Sequence, residues 1–341
     1  MSSTQYDDAI LDSNAIDPTD KNGNPIPVTI PIMLAPGIKV VYTTRLGGTS
    51  EGDFAHFNLG GKSGDKPEHV LANRKALADV LGAKISLISQ VHSGDAVDVD
   101  ESFVINQPFG FDVSGTKKPE DETDGENNAT GNDGEPTVIE ADGQVTSRKN
   151  VALGMFAADC LPVLMADPEA GVIGAAHCGR RGLQKGVIGI EKMVSKGAQP
   201  ERIVATLGPC ICGDCYEVGG DIADEFDAQF PGTFTLSRFG QPGIDIAAAA
   251  LQELAKAGVP ADNIVSSRPR VNAATQYLSE DEELAGICAA DGEGDPKLSE
   301  RFNKIRRSLC TLENPLWFSH RRASLAKKQH EGRMLALIVR E

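Results

Sequence analysis

Apolar residues recur along most of the chain in short blocks whose spacing predicts alternating strands and helices. From Ile38, "IKVVYTTRLGG" is rich in β-branched residues and ends in a glycine pair, which predicts a strand and a turn. In "KPEHVLANRKALADVLG" the apolar residues follow helical spacing, with Pro67 near the start and Gly82 just past the end. "ISLISQVH" then predicts a short strand that ends at His92.

The middle of the chain holds three further apolar blocks, "VALGMFA", "LPVLMAD" and "GVIGAAH", with the turn signal "DPEAG" before the third. "RRGLQKGVIGIEKMVSKG" predicts one helix directly after the third block, and "RIVATLG" predicts another strand. "IDIAAAALQELAKAGV" predicts a helix, and "RMLALIVRE" closes the chain as a strand. Strands that alternate with helices indicate an α/β protein.

Three polar stretches interrupt this pattern. Residues 1–29 are rich in Asp, Asn and Pro and predict a loose tail, which leaves residues 30–341 as a single domain. Two polar insertions are predicted inside it, at about 114–136 and about 279–300, and the first has almost nothing to bury.

Charge and cysteine content narrow the choice of partner and compartment. The net charge of −16 argues against nucleic acid or an anionic membrane as a partner, because both require a basic surface. The N-terminus lacks the pattern of a signal peptide, and no apolar run approaches the roughly 20 residues that span a bilayer. Seven cysteines, an odd number, fit reduced thiols better than a disulfide framework. We therefore expect a cytoplasmic protein.

The stretch "AADCLPVLMADPEAGVIGAAHCGRRG" carries an Asp-Cys pair at one end of its apolar blocks and a His-Cys pair at the other. His92, Cys160 and His177 thus fall at predicted strand ends. Imidazole and thiolate are zinc ligands, and three of them plus an open position make a catalytic site. Their spacing alone is a weak signal, and polar residues satisfied within a core or loop are the alternative.

Two other patterns suggest ligand binding. Gly179, Arg180 and Arg181 open a predicted helix, where an anion would be favoured, and "FSHRR" at 318–322 repeats the combination of an aromatic residue with arginines. "PCICGDC" places three cysteines in a C-x-C-x-x-C array that would need a fourth ligand such as Cys288 or Cys310. Small buried residues in a tight loop are the simpler interpretation of that array. The three are Cys210, Cys212 and Cys215.

Taken in order, these stretches make the chain resemble the laccase-domain family, once called multicopper polyphenol oxidases and now described as purine nucleoside phosphorylases. The motifs are "TTRLGGTSEGDFAHFNLGGKSGD", "QVHSGDAV", "ADGQVTSRKNVALGMFAADCLPVLMAD", "AAHCGRRGLQKGVI", "LGPCICGDCYEVG", "CTLENPLWFSHRR" and "GRMLALIVRE". The resemblance implies an α/β fold with layers in the order α-β-β-α, mixed sheets and a single domain. It also implies a catalytic zinc on His92, Cys160 and His177, with copper as the alternative metal and Asp159 as a partner of the ligands.

The resemblance further implies phosphorolysis of adenosine, inosine and methylthioadenosine to the free base and ribose 1-phosphate, together with adenosine deaminase activity. The partners would then be a purine nucleoside and phosphate. Arg45, Asn58 and Arg181 match family positions in the pocket: the arginines are expected to bind phosphate or substrate charge, and Asn58 to hydrogen-bond the substrate. Glu217 and Asp142 are candidates for the acid that protonates the leaving purine.

The sequence departs from the family at one motif, and three alternative functions stay open. The family motif "HAGWRG" reads "HCGRRG" here, which introduces Cys178 and replaces a tryptophan by Arg180. A copper-dependent polyphenol oxidase is one alternative, although six histidines leave little room for several copper sites. A hydrolase with Cys160 as nucleophile, including one that edits peptidoglycan precursors, is another. A binding module with a structural zinc is the third.

Overall fold

Two five-stranded sheets form the centre of the molecule. The computed structural model describes residues 18–102, 109 and 139–341. The first sheet has the order β1 (Thr29–Ala35), β2 (Ile38–Thr43), β12 (Met334–Arg340), β6 (Val151–Ala157) and β3 (Lys84–Ser86). Its neighbours are antiparallel except β3 and β6, which run parallel.

The second sheet has the order β4 (Ala96–Asp98), β5 (Gly143–Thr146), β8 (Val172–Cys178), β7 (Leu161–Asp167) and β9 (Val204–Leu207). Here β4 and β5 are parallel, and the remaining pairs are antiparallel. A separate hairpin joins β10 (Phe234–Leu236) to β11 (Pro242–Ile244). Both five-stranded sheets are therefore mixed.

Helices pack against both sheets, through the apolar clusters described below. They are α1 (Pro67–Leu81), α2 (Val99–Ser102), α3 (Arg180–Gln184), α4 (Ile190–Ser195), α5 (Gly220–Gln229), α6 (Ile246–Lys256), α7 (Arg268–Tyr277), α8 (Glu282–Ala290), α9 (Leu298–Phe302) and α10 (His320–Leu325). Within the described ranges, none of these helices has the length and apolar character needed to cross a membrane.

Three apolar clusters define the layers. The central one lies between the sheets and joins side chains such as Leu153 of β6 and Ile173 of β8. A second cluster packs α1, through Leu77, on the outer face of the first sheet. The third packs α4 to α6 on the outer face of the second sheet. The predicted α-β-β-α layering with mixed sheets is confirmed.

The segment after His177 differs from the single helix that its sequence predicts. It forms two short helices, α3 and α4, separated by Gly186 and Gly189, whose φ angles are 77° and 60°. Left-handed backbone cannot continue an α-helix, so the chain turns between the two.

The region predicted as a second polar insertion, 279–300, is helical and packs against the central core. It contains α8 and the start of α9, and Leu284, Ile287 and Cys288 are buried. Its acidic residues gave it the pattern of a solvated loop, but several of them pair with buried cations. The first predicted insertion and the first 17 residues lie outside the described residues.

Glu293 is the centre of one such charge cluster. Its carboxylate accepts a 2.7 Å hydrogen bond from Arg322 and a 2.8 Å bond from Lys328, and Arg45 lies 3.5 Å away. Burial favours the neutral acid, but Arg322, Arg45 and Lys328 outweigh it and lower the pKa of Glu293 to about 2. The cluster therefore stabilises the fold only while Glu293 is ionised.

Glu293→Gln is expected to lower the free energy of unfolding by about 3 kcal/mol at pH 7, because the folded protein then buries cations without their carboxylate. Glu293 has a lower pKa folded than unfolded, so its contribution is complete above about pH 4.5 and is lost as the pH falls towards 2. Urea unfolding of both proteins at several pH values measures this difference. The exposed Glu282→Gln change is the control, and an equal loss at pH 7 and pH 3 would contradict the assignment.

Candidate functional site

A cleft of about 540 Å³ opens where the two sheets meet their connecting loops. Its lining combines metal-ligand side chains, cations and aromatic rings from seven separate stretches of the chain. The residues are Gly60, Gly61, Lys62, Ser63, Ile88, Ser89, Gln90, His92, Phe156, Ala158, Asp159, Cys160, His177, Tyr216, His320, Arg321 and Arg333. We refer to the cavity that these residues line as the cleft.

His92, Cys160 and His177 converge on one side of the cleft. His92 lies in the connection from β3 to β4, Cys160 in the turn between β6 and β7, and His177 near the end of β8. Their ligand atoms all lie within 4.8 Å of one another, and Cys160 Sγ is 3.8 Å from His92 Nε2. The hairpin of β7 and β8 brings Cys160 close to His177, and the connection from β3 to β4 adds His92.

Asp142 holds both histidines in place. Its Oδ1 lies 2.8 Å from His177 Nδ1, and its Oδ2 accepts backbone hydrogen bonds from Val91 and Ser93, which flank His92. Because Nδ1 of His177 is engaged by Asp142, its Nε2 is the atom left to bind a ligand. One carboxylate therefore orients two members of the group.

The protonation equilibria of the group are coupled. Burial alone would raise the pKa of Cys160, yet His177 and His92 lower it to about 6. Burial opposes the charge on His177, but Cys160 and Asp142 raise the pKa of His177 to about 9. A thiolate beside an imidazolium is therefore favoured, and a metal cation would displace the imidazolium proton.

These donors fit a zinc ion. Two imidazole nitrogens and one thiolate are zinc ligands, and a spread of 4.8 Å or less between them allows all three to reach one ion. With three protein ligands a fourth position stays open to the cleft, as in catalytic zinc sites. The same soft set also suits copper, so the donors favour a metal without selecting between the two.

Asp142→Asn is expected to weaken metal binding by about 10- to 100-fold, because an amide cannot accept all three hydrogen bonds that orient the histidines. Asp159→Asn is the matched control: the Asp159 carboxylate accepts from Thr311 Oγ1 and the Arg321 backbone, both at 2.6 Å, and touches neither histidine. Metal affinity is measured by competition with a chromophoric chelator. Equal affinities of the two variants would contradict the role given to Asp142.

Another part of the lining, which we call the basic side of the cleft, carries Lys62, His320, Arg321 and Arg333. Lys62 donates to Ser89 Oγ at 2.5 Å, and Arg321 donates to the backbone oxygen of Glu217 at 2.7 Å. Arg333 and His320 both contact Glu331, and the His320–Glu331 hydrogen bond raises the pKa of His320. The protein as a whole is acidic, but the cationic side chains of this lining favour the binding of an anionic ligand within the cleft.

Aromatic rings complete the lining. Phe156 and Tyr216 face the cleft, and the guanidinium of Arg321 lies 5.7 Å from the centre of the Tyr216 ring. Both rings offer flat apolar surface beside polar groups. A flat heterocycle that carries an anion or a hydroxyl-rich group matches this arrangement.

Two residues that the family resemblance placed in the pocket, Arg45 and Asn58, are not among the residues that line the cleft. Arg45 is fully buried, 3.2 Å from Asp291, and its guanidinium lies 5.1 Å from the Phe318 ring centre. The Asn58 amide binds Ser63 and Asp65, and its oxygen accepts from the backbone of Gly60 and Arg333. Asn58 therefore shapes the loop that carries Lys62.

Arg181, Glu217 and Asp142, the remaining candidates from the sequence, are also outside the lining. Arg181 is exposed on the first turn of α3, and the half-buried Arg180 donates to Gln184 at 3.0 Å. Glu217 accepts from Ser237 Oγ at 2.6 Å and contacts Arg321 only through its backbone oxygen. Asp142, considered as an acid, instead orients the histidines.

Sequence reasoning missed most of the basic side of the cleft. Lys62, Ser89 and Arg333 stand in stretches with no individual signal, because only the fold brings them together. Tyr216 lies inside the quoted motif "CYEVG" without a role. His320 and Arg321 belong to "FSHRR", which did indicate an anion site.

Comparisons with known proteins agree with the resemblance. The model of the family described as "Multi-copper polyphenol oxidoreductase laccase" matches residues 39–283. A Streptomyces griseus protein named purine nucleoside phosphorylase ORF3 is 38% identical over 223 residues, which are 64% of this chain and 79% of that protein. Adenosine deaminase RL5, from an unknown prokaryotic organism, is 31% identical over 68% of this chain and 83% of its own length. The solved structure of Neisseria meningitidis protein NMB0706 is 27% identical, with a TM-score of 0.60 over 93% of this chain and 99% of that one.

Proposed function

Because the chain belongs to the multi-copper polyphenol oxidoreductase laccase family and has relatives named purine nucleoside phosphorylase, we propose that it is a zinc-dependent enzyme that phosphorolyses purine nucleosides. The observation that carries the proposal is the cleft itself, where His92, Cys160 and His177 share the lining with cationic side chains. Adenosine, inosine and methylthioadenosine are the proposed substrates. Adenosine deamination is proposed as a second activity, since one relative is named for it.

The basic side of the cleft is suited to hold phosphate. Lys62, Arg321 and Arg333 supply ammonium and guanidinium groups that bind phosphate oxygens through charge-assisted hydrogen bonds. In phosphorolysis a phosphate oxygen bonds to C1′ of the ribose as the bond from C1′ to the purine nitrogen breaks. The cations keep the nucleophile in place and stabilise the transition state by electrostatics.

The electron pair of the broken bond passes to the purine, which then requires a proton. His320 lines the cleft and is hydrogen-bonded to Glu331 at 3.0 Å, which raises its pKa and favours the protonated form. We assign His320 the role of proton donor in place of Glu217, whose carboxylate is held by Ser237. Phe156 and Tyr216 provide the surface for the purine ring.

The metal would contribute to substrate activation. A zinc ion held by His92, Cys160 and His177 would supply a Lewis acid for the nucleoside and, in deamination, for the attacking water. Asp142 keeps the histidines aligned for this purpose.

The proposal is tested by chromatography of adenosine incubated with the zinc-loaded protein, with and without phosphate. Adenine and ribose 1-phosphate formed only with phosphate support phosphorolysis, and inosine supports deamination. Zinc content is measured on the same sample. Absence of turnover with zinc bound and phosphate present would overturn the proposal.

One further observation favours a second candidate function. Cys160, His177 and Asp142 have the order of a nucleophile, a base and an orienting carboxylate, as in cysteine hydrolases. This arrangement supports a metal-free hydrolase, for example one acting on peptidoglycan precursors. Activity that survives chelation but is lost on thiol alkylation would support this candidate against the zinc enzyme.

A further inference from the structure

We propose a second metal site, separate from the cleft, formed by Cys212, Cys215, Cys310 and Glu313. The ligand atoms of these four residues lie within 4.8 Å of one another. The site would hold a structural zinc ion, and it rests on geometry alone, independently of the proposed function. It takes Cys212 and Cys215 from the C-x-C-x-x-C array, leaves out Cys210, and adds Cys310 and Glu313 from a second loop.

The four residues come from two loops that meet. Cys212 and Cys215 lie between β9 and α5, where Cys215 and Tyr216 both donate backbone hydrogen bonds to Cys212 O and form a tight turn. Cys310 and Glu313 lie between α9 and α10, with the same separation of three positions. The backbone N–H of Cys212 points to Cys310 Sγ at 3.5 Å, and Cys215 Sγ is 3.5 Å from Glu313 Oε1.

The surroundings of these four residues fit a metal site better than cysteines that only pack as apolar residues in a core. Three thiols at this density gain little from each other in a core, since a cysteine packs as a small apolar residue. Here they share their space with Glu313, a carboxylate that is 8% exposed. Four protein ligands that complete a tetrahedral set, most of them cysteines, are typical of a structural zinc site rather than a catalytic one, and a carboxylate oxygen is also a zinc ligand.

The protein also provides positive groups to offset the charge. Three thiolates and a carboxylate carry more negative charge than one divalent ion neutralises. Arg238 donates to Glu313 Oε1 at 3.0 Å, and the backbone N–H groups of Arg306 and Arg307 donate to Oε2 at 2.7 and 2.8 Å. These contacts orient the carboxylate as ligand-supporting groups do in known metal sites.

A metal ion at this position would stabilise two loops that contribute to the lining of the cleft. Tyr216 directly follows Cys215, and Thr311 directly follows Cys310 and hydrogen-bonds Asp159, next to Cys160. The ion would therefore join the loop that presents Tyr216 to the loop that leads into Arg321. Its role is structural, because none of the four ligands lines the cleft.

The test uses the His92→Ala/His177→Ala double variant, which lacks the cleft ligands but leaves the proposed site untouched. We expect it to keep one zinc ion per chain by mass spectrometry of the metal. After exchange with cobalt we expect intense thiolate-to-cobalt charge-transfer absorption. Cys215→Ser in the same background should lose both signals, whereas Cys210→Ala and Cys288→Ala should keep them.

Two results would overturn the proposal. One is a double variant that takes up no zinc or cobalt while all seven cysteines titrate as free thiols or some are found as disulfides. The other is a Cys215→Ser protein that retains its full metal content and cobalt spectrum. Because the first measurement leaves all four ligands in place, it does not depend on whether the Cys215 variant folds.

Discussion

Cys160→Ser is expected to reduce nucleoside turnover by about 10³-fold or more, which corresponds to about 4 kcal/mol of lost transition-state stabilisation. A serine hydroxyl is a poor zinc ligand at neutral pH, so the set of His92, Cys160 and His177 would lose its only anionic member. The variant should also lose the cleft metal. Turnover and metal content are measured on the same preparation.

Cys178→Ala provides a closely matched control. Cys178 is a fully buried thiol adjacent to His177, but it packs in the cluster on the outer face of the second sheet, among residues such as Leu183 and Val187. Alanine is also the residue that the family motif carries at this position. We expect unchanged metal content and turnover within about twofold, with a loss of stability of about 1 kcal/mol. Equal losses of activity and of metal in the two variants would contradict the specific role given to Cys160.

Replacing both Lys62 and Arg321 by alanine is expected to raise the KM for phosphate by about 10²- to 10⁴-fold. Each cation removed deletes a charge-assisted hydrogen bond worth about 1.5–3 kcal/mol. The KM for the nucleoside should change less, because the two cations face the anion. Initial rates over a matrix of phosphate and nucleoside concentrations separate these effects.

Arg181→Ala is the informative comparison for this prediction. The family resemblance assigns Arg181 to substrate charge, whereas the structure leaves it exposed on α3, outside the lining of the cleft. We expect this variant to keep the KM for phosphate of the unmodified protein. A large rise with Arg181→Ala and none with the double variant would return phosphate binding to the start of α3.

Local pattern predicted most of the central sheets, because their strands are continuous apolar blocks. The blocks "VALGMFA" and "LPVLMAD" coincide with β6 and β7 residue for residue. Local pattern failed where tertiary contacts dominate. Residues 279–300 look polar because Glu283, Asp291 and Glu293 are acidic, but their partners lie far away in sequence, as with His56 for Glu283.

The residues of the candidate site likewise divide into those that the sequence indicates and those that only the fold brings together. His92, Cys160 and His177 are recognisable because metal chemistry requires rare residue types, and the family motifs surround them. Lys62 and Arg333 are ordinary cations whose importance depends on facing the same cleft. The sequence indicates Asp142 only as a candidate acid, and its contacts with His177 and the backbone around His92 follow from the fold alone.

The positions of His92 and Cys160 have a consequence for chain length. They lie 68 positions apart, and the segment between them includes β4 and β5 of the second sheet and β6 of the first. Because side chains alternate between the two faces of a strand, inserting or deleting one residue within any of these strands would turn the later side chains of that strand to the opposite face. A change in length between the two ligands is therefore compatible with the metal site only where it falls outside these strands.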